Sequence, residues 1–198
     1  MYVERPPRGL YVRYVLLTLL AVYMVHHLDR VAIALLLEPI GREFRLSDSA
    51  RGLLAGMGYA IPFAIAGIPL GLLIDRVNRV KLLATLLCVW SGLTALCAVA
   101  SGFGWLLAAR IGVGAAESGG TPANVSIIAD YVPASRRSAA FGVYYMGPHL
   151  ATIIGFAVAG AVATAYGWRA AFLVVGVPGL LLALLVAKTI REPLRSAD

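Results

Sequence analysis

The sequence predicts an all-α membrane protein with six transmembrane helices. Three observations carry this. Of 198 residues, 60% are hydrophobic and only 14% are charged, against about 25% charged in a soluble domain. The apolar residues gather in six runs, each near the roughly 20 residues that a helix needs to cross a bilayer. The basic residues fall in short clusters between those runs. A net charge of +7 distributed in this way is a topology signal rather than a nucleic-acid footprint.

Each span has boundary chemistry. The first, 14–38, follows a polar, basic arm (1–13) and reaches the outer side near Pro39. Its apolar run is too long for a signal-peptide core and has no small-residue cleavage site. The second, 50–74, is preceded by LSDSA, where Ser47 or Ser49 can cap the helix. DRVNR (75–79) separates it from the third span, 81–101, and SGFG (101–104) turns into the fourth, 104–129. DYVPASRR (130–137) leads into the fifth, 138–165, which Gly167 closes before the sixth, 169–190. Gly52 with Gly56, and Gly67 with Gly71, have the GxxxG spacing that lets helices approach closely. Pro62, Pro69, Pro122, Pro148 and Pro178 lie inside spans, where neighbouring helices can re-satisfy freed carbonyls. Cys88 and Cys97 match no metal-site spacing and read as packing residues.

Charge sets the orientation. Arg5, Arg8, Arg13, Arg76, Arg79, Lys81, Arg136, Arg137, Lys188, Arg191 and Arg195 make eleven basic residues on one side. Arg42, Arg45, Arg51 and Arg169 make four on the other. The positive-inside rule then places both termini in the cytoplasm.

The functional signal is charge inside apolar runs. Asp29 and Arg30 interrupt a first span that has thirteen Leu, Val or Ile between Val15 and Leu37. Those side chains favour insertion by roughly 6 kcal/mol, and the two charges cost about the same. Asp29 and Arg30 should therefore face a partner or a wet cavity. The fourth span supplies candidates in ARIGVGAAESGG (109–120): Arg110 and Glu117 are seven apart and share a helix face. Counting the rise from the outer side places Arg110 about 9 Å deep, Asp29 about 15 Å and Glu117 about 20 Å. Two acids and two bases can then form a neutral, exchangeable quartet if spans one and four face each other. Burial favours the neutral form of an acid and a neighbouring guanidinium favours the charged form, so moving an arginine between partners would switch proton affinity. Asp29 and Glu117 are the proton-coupling candidates. Arg30, Arg110 and His26 are the substrate-binding candidates, since His26 lies on the side of Asp29 and Arg30. A static ion-pair network that locks the bundle is the alternative.

Enzyme signals fail. GVGAAE (112–117) has Glu where a dinucleotide loop needs its third Gly, and no strand precedes it. Ser118 beside Glu117 cannot face it on a helix. No catalytic residue, cofactor or metal site is implied.

The loop GLLIDRVNRVK (71–81) resembles the signature loop of the major facilitator superfamily, G-x-x-x-D-R-x-G-R-R. Gly71, Asp75, Arg76 and Arg79 match, while Asn78 and Val80 depart from it. LDR in span one, Trp90-Ser91, RIGVGAAES, DYVPASRRSAAFG and GWRAAF are similar to the Spinster-like branch; a neighbouring branch, the organic-anion/proton symporters, shares several of these patterns. The resemblance implies half of a major facilitator fold: two inverted three-helix repeats over 14–190, with REPLRSAD (191–198) starting a cytoplasmic central linker. It also implies a gate role for Gly71, Asp75, Arg76 and Arg79 on the cytoplasmic face. The function it implies is proton-coupled secondary transport of an amphiphilic or organic anion, lysolipid-like cargo favoured, by alternating access with a second six-helix half. That half would be covalent or a dimer partner, in a bacterial inner membrane. Small organic-anion symport, and a membrane protein or fragment without transport activity, are the alternatives.

Overall fold

The computed structural model describes residues 9–195. Ten α-helices are found among them. Helix α1 (Gly9–Glu43) is continuous. It begins inside the stretch read as an arm and runs through Pro39, so that proline does not end it. The end is set instead by a turn in which Arg45 takes a left-handed conformation, φ 51°. Residues 1–8 and 196–198 of the arm and linker lie outside the described residues. Ser47 caps α2 (Asp48–Gly52), accepting from the Ala50 amide at 3.3 Å. A π-helical turn at Leu53–Met57 joins α2 to α3 (Gly58–Ile74), making one crossing. Asn78 accepts from the Lys81 amide at 2.8 Å and starts α4 (Arg79–Leu96).

The fourth crossing is not one helix. α5 (Phe103–Glu117) and α6 (Gly120–Tyr131) meet at a break over Ser118 and Gly119. A Cβ on Gly119 would fall 2.6 Å from the Leu86 side chain, and one on Gly120 would fall 3.2 Å from the Trp90 ring. Small residues here let the break seat against α4. The fifth crossing runs from a short 3₁₀ turn at Ala134–Arg136 through α7 (Arg137–Tyr145), α8 (Gly147–Ile154), a π turn and α9 (Gly160–Tyr166). Gly167, at φ 85°, makes the reversal into α10 (Trp168–Thr189). Among the described residues five helical stretches are long and apolar enough to span a membrane. The interrupted fourth crossing, which carries Arg110 and Glu117, completes the six that the sequence predicts.

Two apolar clusters fill the bundle. One contains Val15 to Val25 of α1, Leu83 to Trp90 of α4 and Ala183 and Val186 of α10. The other contains Ala32 to Ile40 of α1, Leu106 and Ala109 of α5 and Ala171 to Val175 of α10. Between them, at one level, lie His26, Asp29 and Arg30 of α1, Ser91 and Thr94 of α4, and Arg110 of α5. The polar groups thus form a layer across the middle of the bundle, with apolar packing above and below.

The GxxxG expectation is corrected. A Cβ on Gly52, Gly56 or Gly71 would meet nothing within 4 Å, and one on Gly67 only the Ser118 Cβ at 3.9 Å. The close approaches are elsewhere. Gly114 of α5 packs on the Tyr59 backbone of α3, and Gly176 and Gly179 of α10 pack on Ser91 and Ala95 of α4. A Cβ on Gly176 would sit 2.6 Å from the Ala95 nitrogen and 2.8 Å from the Ser91 carbonyl oxygen, and backbone cannot rotate away. Gly176→Ala is expected to lower the melting temperature of the purified protein. Gly160→Ala, at a position with nothing within 4 Å, is expected to leave it unchanged; equal melting temperatures would refute this packing assignment.

Candidate functional site

The polar layer converges on a residue outside the predicted set. Tyr59, on α3, accepts hydrogen bonds from Arg30 Nε at 3.0 Å and from an Arg30 terminal nitrogen at 2.5 Å. Its hydroxyl donates to Glu117 Oε2 at 2.6 Å. Its ring lies under both cations, with the Arg30 guanidinium carbon 4.7 Å and the Arg110 guanidinium carbon 5.1 Å from its centroid. A buried phenol needs a polar partner for its hydroxyl while its ring face attracts cations; Tyr59 uses both properties.

His26 is placed as expected on the side of Arg30. Its Nε2 is 3.3 Å from an Arg30 terminal nitrogen and 3.5 Å from Glu117 Oε2. Trp90 and Phe63 present their rings to it at 6.0 and 6.4 Å. His26, Asp29, Arg110 and Glu117 are all buried, and Arg30 is partly so.

The quartet forms differently from the sequence expectation. All four charges do occupy one region, but among the described residues no carboxylate of Asp29 or Glu117 lies within ion-pair distance of Arg30 or Arg110. The coupling of Arg30 to Glu117 passes through the Tyr59 hydroxyl. Both oxygens of Asp29, Oε1 of Glu117, Nε of Arg110 and the hydroxyls of Ser91 and Thr94 are buried without a hydrogen-bond partner among the described residues. Buried polar atoms in that state are costly. Here Asp29, Thr94, Arg110 and Glu117 lie near one another, where a proton, water or polar ligand could satisfy them.

A second polar cluster ties the end of the bundle where α1 begins and α10 finishes. Arg79 is buried. It donates to Glu192 Oε1 at 2.7 Å, Asp130 Oδ2 at 2.5 Å, Ser126 Oγ at 2.7 Å and the Pro193 carbonyl at 3.3 Å. Glu192 Oε2 also accepts the Val80 amide at 2.9 Å. Arg195 donates to the carbonyls of Ile74, Asp75 and Val77. Tyr11 clasps the same segment, donating to the Thr189 carbonyl at 2.9 Å and accepting from the Arg191 amide at 3.0 Å. Of the four residues read as a gate loop, Arg79 alone has its side chain in this network. The side chains of Asp75 and Arg76 are exposed, and Gly71 makes no close helix contact.

Sequence reasoning missed Tyr59, Thr94 and the docking of Glu192. A tyrosine or threonine in a membrane helix is too ordinary to stand out. The one available signal was that Tyr59 lies in an apolar run three residues before Pro62, where a hydroxyl needs a buried partner.

The family model described as Major Facilitator Superfamily matches residues 19–198, and the chain belongs to that family. It is 37% identical over 164 residues to an MFS-type efflux pump of Mycolicibacterium smegmatis, covering 82% of this chain and 38% of that protein. It is 30% identical over 166 residues to the niacin transporter NiaP of Acinetobacter baylyi, covering 84% of this chain and 38% of that one. Among solved structures, it superposes on a bacterial homolog of the human lysosomal transporter Spinster, in an inward-facing and occupied conformation, with a TM-score of 0.88. That match has 36% identity and covers 96% of this chain and 46% of the other. The chain thus spans less than half the length of these relatives. It is a multi-pass membrane protein with the fold of half a major facilitator transporter.

Two outcomes are expected. Tyr59→Phe keeps the ring and removes the hydroxyl that links Arg30 to Glu117; it should destabilise the protein by about 1–3 kcal/mol, read as a fall in denaturation midpoint. Arg79→Gln leaves the buried Glu192 without its cation and should cost about 3–5 kcal/mol. Hydrogen exchange should then quicken at residues 190–195 first; uniform exchange along α10 would refute the clasp.

Proposed function

We propose that this chain is one half of a proton-coupled secondary transporter that moves an amphiphilic organic anion, with lysolipid-like cargo favoured, by alternating access against a second six-helix half. The observation that carries this reading is the mid-bundle layer in which Arg30, Tyr59, Glu117 and His26 are linked while the buried Asp29 carboxylate, beside Thr94 and Glu117, has no cation within ion-pair distance among the described residues. A buried carboxylate with no cation in contact is costly in an apolar bundle, and taking up a proton removes its charge. Intramembrane ionisable residues of this kind mark ion and substrate pathways.

In this reading Asp29 and Glu117 exchange the proton, and Arg30 and Arg110 attract the anionic head of the cargo. Cargo that draws Arg30 away from Tyr59 frees the phenol and changes the surroundings of Glu117, so binding and protonation are coupled through one side chain. His26 touches both Arg30 and Glu117 and is positioned to sense either event. The Arg79–Glu192 clasp and the loop at Gly71, Asp75 and Arg76 form the cytoplasmic gate region, facing the second half. In this reading the chain sits in a bacterial inner membrane, and the basic residues at that end favour a cytoplasmic position for both termini. The described part of the stretch read as a linker, 191–195, docks on the bundle through Glu192. No catalytic step is part of this reading.

Transport of a small organic anion by symport is the second reading, favoured by the buried cations alone. Competition separates the two: lysolipids should block uptake of the native cargo, whereas small carboxylates should not. In proteoliposomes containing the full-length protein, Asp29→Asn and Glu117→Gln are each expected to abolish accumulation driven by a pH gradient. Exchange of labelled for unlabelled cargo at equal pH should persist. Unchanged pH-driven accumulation in both variants would sink the proton role, and no cargo movement in the wild-type protein would favour a membrane protein without transport activity.

A further inference from the structure

The end of the bundle that holds Arg79 also carries a cleft that the transport reading does not use. It has a volume of about 720 Å³ and lies between the start of α1 and the segment that joins α6 to α7. Its lining is mostly apolar, including Leu16, Pro133 and Val143, and among the described residues it contains Arg13 and Arg136 but no acidic residue.

The two arginines differ from their neighbours. Arg79 is committed to Asp130 and Glu192, Arg137 donates to the carbonyls of Ala129 and Val132, and Arg195 donates to three carbonyls of the loop after α3. Arg13 and Arg136 have no hydrogen bond or ion pair among the described residues, and both are exposed. Two unneutralised cations beside one cleft repel each other and favour an anion between them.

Depth adds a second constraint. Along α1, Leu16 lies about 4.5 Å farther into the bundle than Arg13, and Val143 lies about 10 Å beyond Arg136 along the fifth crossing. The cations therefore sit at the rim while an apolar wall continues toward the membrane interior. A free inorganic anion would use only the rim. An amphiphile with an anionic head would use both parts, in the orientation that bilayer lipids already have. Basic pockets between transmembrane helices are suited to such headgroups.

We propose that this cleft binds an anionic phospholipid of the surrounding bilayer, its phosphate between Arg13 and Arg136 and an acyl chain along Leu16 and Val143. The site is separate from the mid-bundle layer and does not depend on its role in transport. Two basic residues near the membrane surface correspond to a preference of roughly thirtyfold for an anionic over a zwitterionic headgroup.

The test is photolabelling of the full-length protein in nanodiscs with phosphatidylglycerol that carries a diazirine on its acyl chain, followed by peptide mapping. Label is expected on residues 9–16 and 137–145. Excess phosphatidylglycerol should displace it, and phosphatidylcholine or inorganic phosphate should not. The double variant Arg13→Gln/Arg136→Gln should reduce labelling about thirtyfold. Arg76→Gln/Arg191→Gln removes equal charge at the same end and should leave labelling intact. Val143→Trp fills the wall without changing charge and should also reduce it, so the result does not hang on one variant. Labelling that ignores the headgroup, or falls equally in both double variants, would reduce the site to a general surface field. Displacement by inorganic phosphate would make it a simple anion site. Absence of label from both segments would mean that protein, such as a second half, covers the cleft. Each of these results overturns the proposal.

Discussion

The hydroxyl of Tyr59 holds a partly buried cation and a fully buried acid together inside an apolar bundle. Charges at that depth persist only when they are paired, hydrogen-bonded or served by a cavity. A direct Arg30–Glu117 pair would have met the electrostatic need, but it would also have bound the two groups tightly to each other. Inserting a phenol keeps both hydrogen-bonded while leaving each with capacity for another partner. Arg30 still reaches His26 at 3.3 Å, and Glu117 keeps one oxygen without a partner among the described residues.

The rest of the bundle supports that arrangement. Apolar clusters on either side confine the charged groups to one level. The glycines of α10 bring it onto Ser91 and Ala95 of α4, and one turn on from Ser91, Thr94 lies beside Asp29. Gly114 lets α5 lie on the Tyr59 backbone, which fixes the phenol between α1 and the break in the fourth crossing. The close contacts that matter in this chain thus surround the polar layer, whereas the glycines with the familiar GxxxG spacing make no close helix approach in the described bundle.

The two ends of the molecule use charge differently. At the end away from Arg79, the surplus is small and mostly paired: Glu38 with Arg42 and Arg51, and Glu43 with Arg169. These exposed pairs contribute little stability each, but Glu43 also accepts the Trp168 indole proton at 2.7 Å and joins α1 to α10. At the other end, Arg79 is buried in the clasp, whereas Arg13 and Arg136 have no polar partner among the described residues and lie beside apolar surface. A count of basic residues treats these as equivalent, although one group organises the polypeptide and the other faces its surroundings.

The sequence by itself determined the class, the six crossings, a cap at Ser47 or Ser49, the Gly167 reversal and the identity of the four charges inside the bundle. Each of these rests on composition, length or a residue type that is costly where it stands, and such properties are local. Asp29 and Glu117 were legible because a carboxylate in an apolar run is conspicuous. Only the tertiary structure decided which groups touch. Tyr59, Thr94 and Glu192 are unremarkable along the chain and acquire roles from what other helices bring near them. The same reason explains the misplaced glycine contacts: a spacing of four marks a flat helix face but does not say which neighbour meets it.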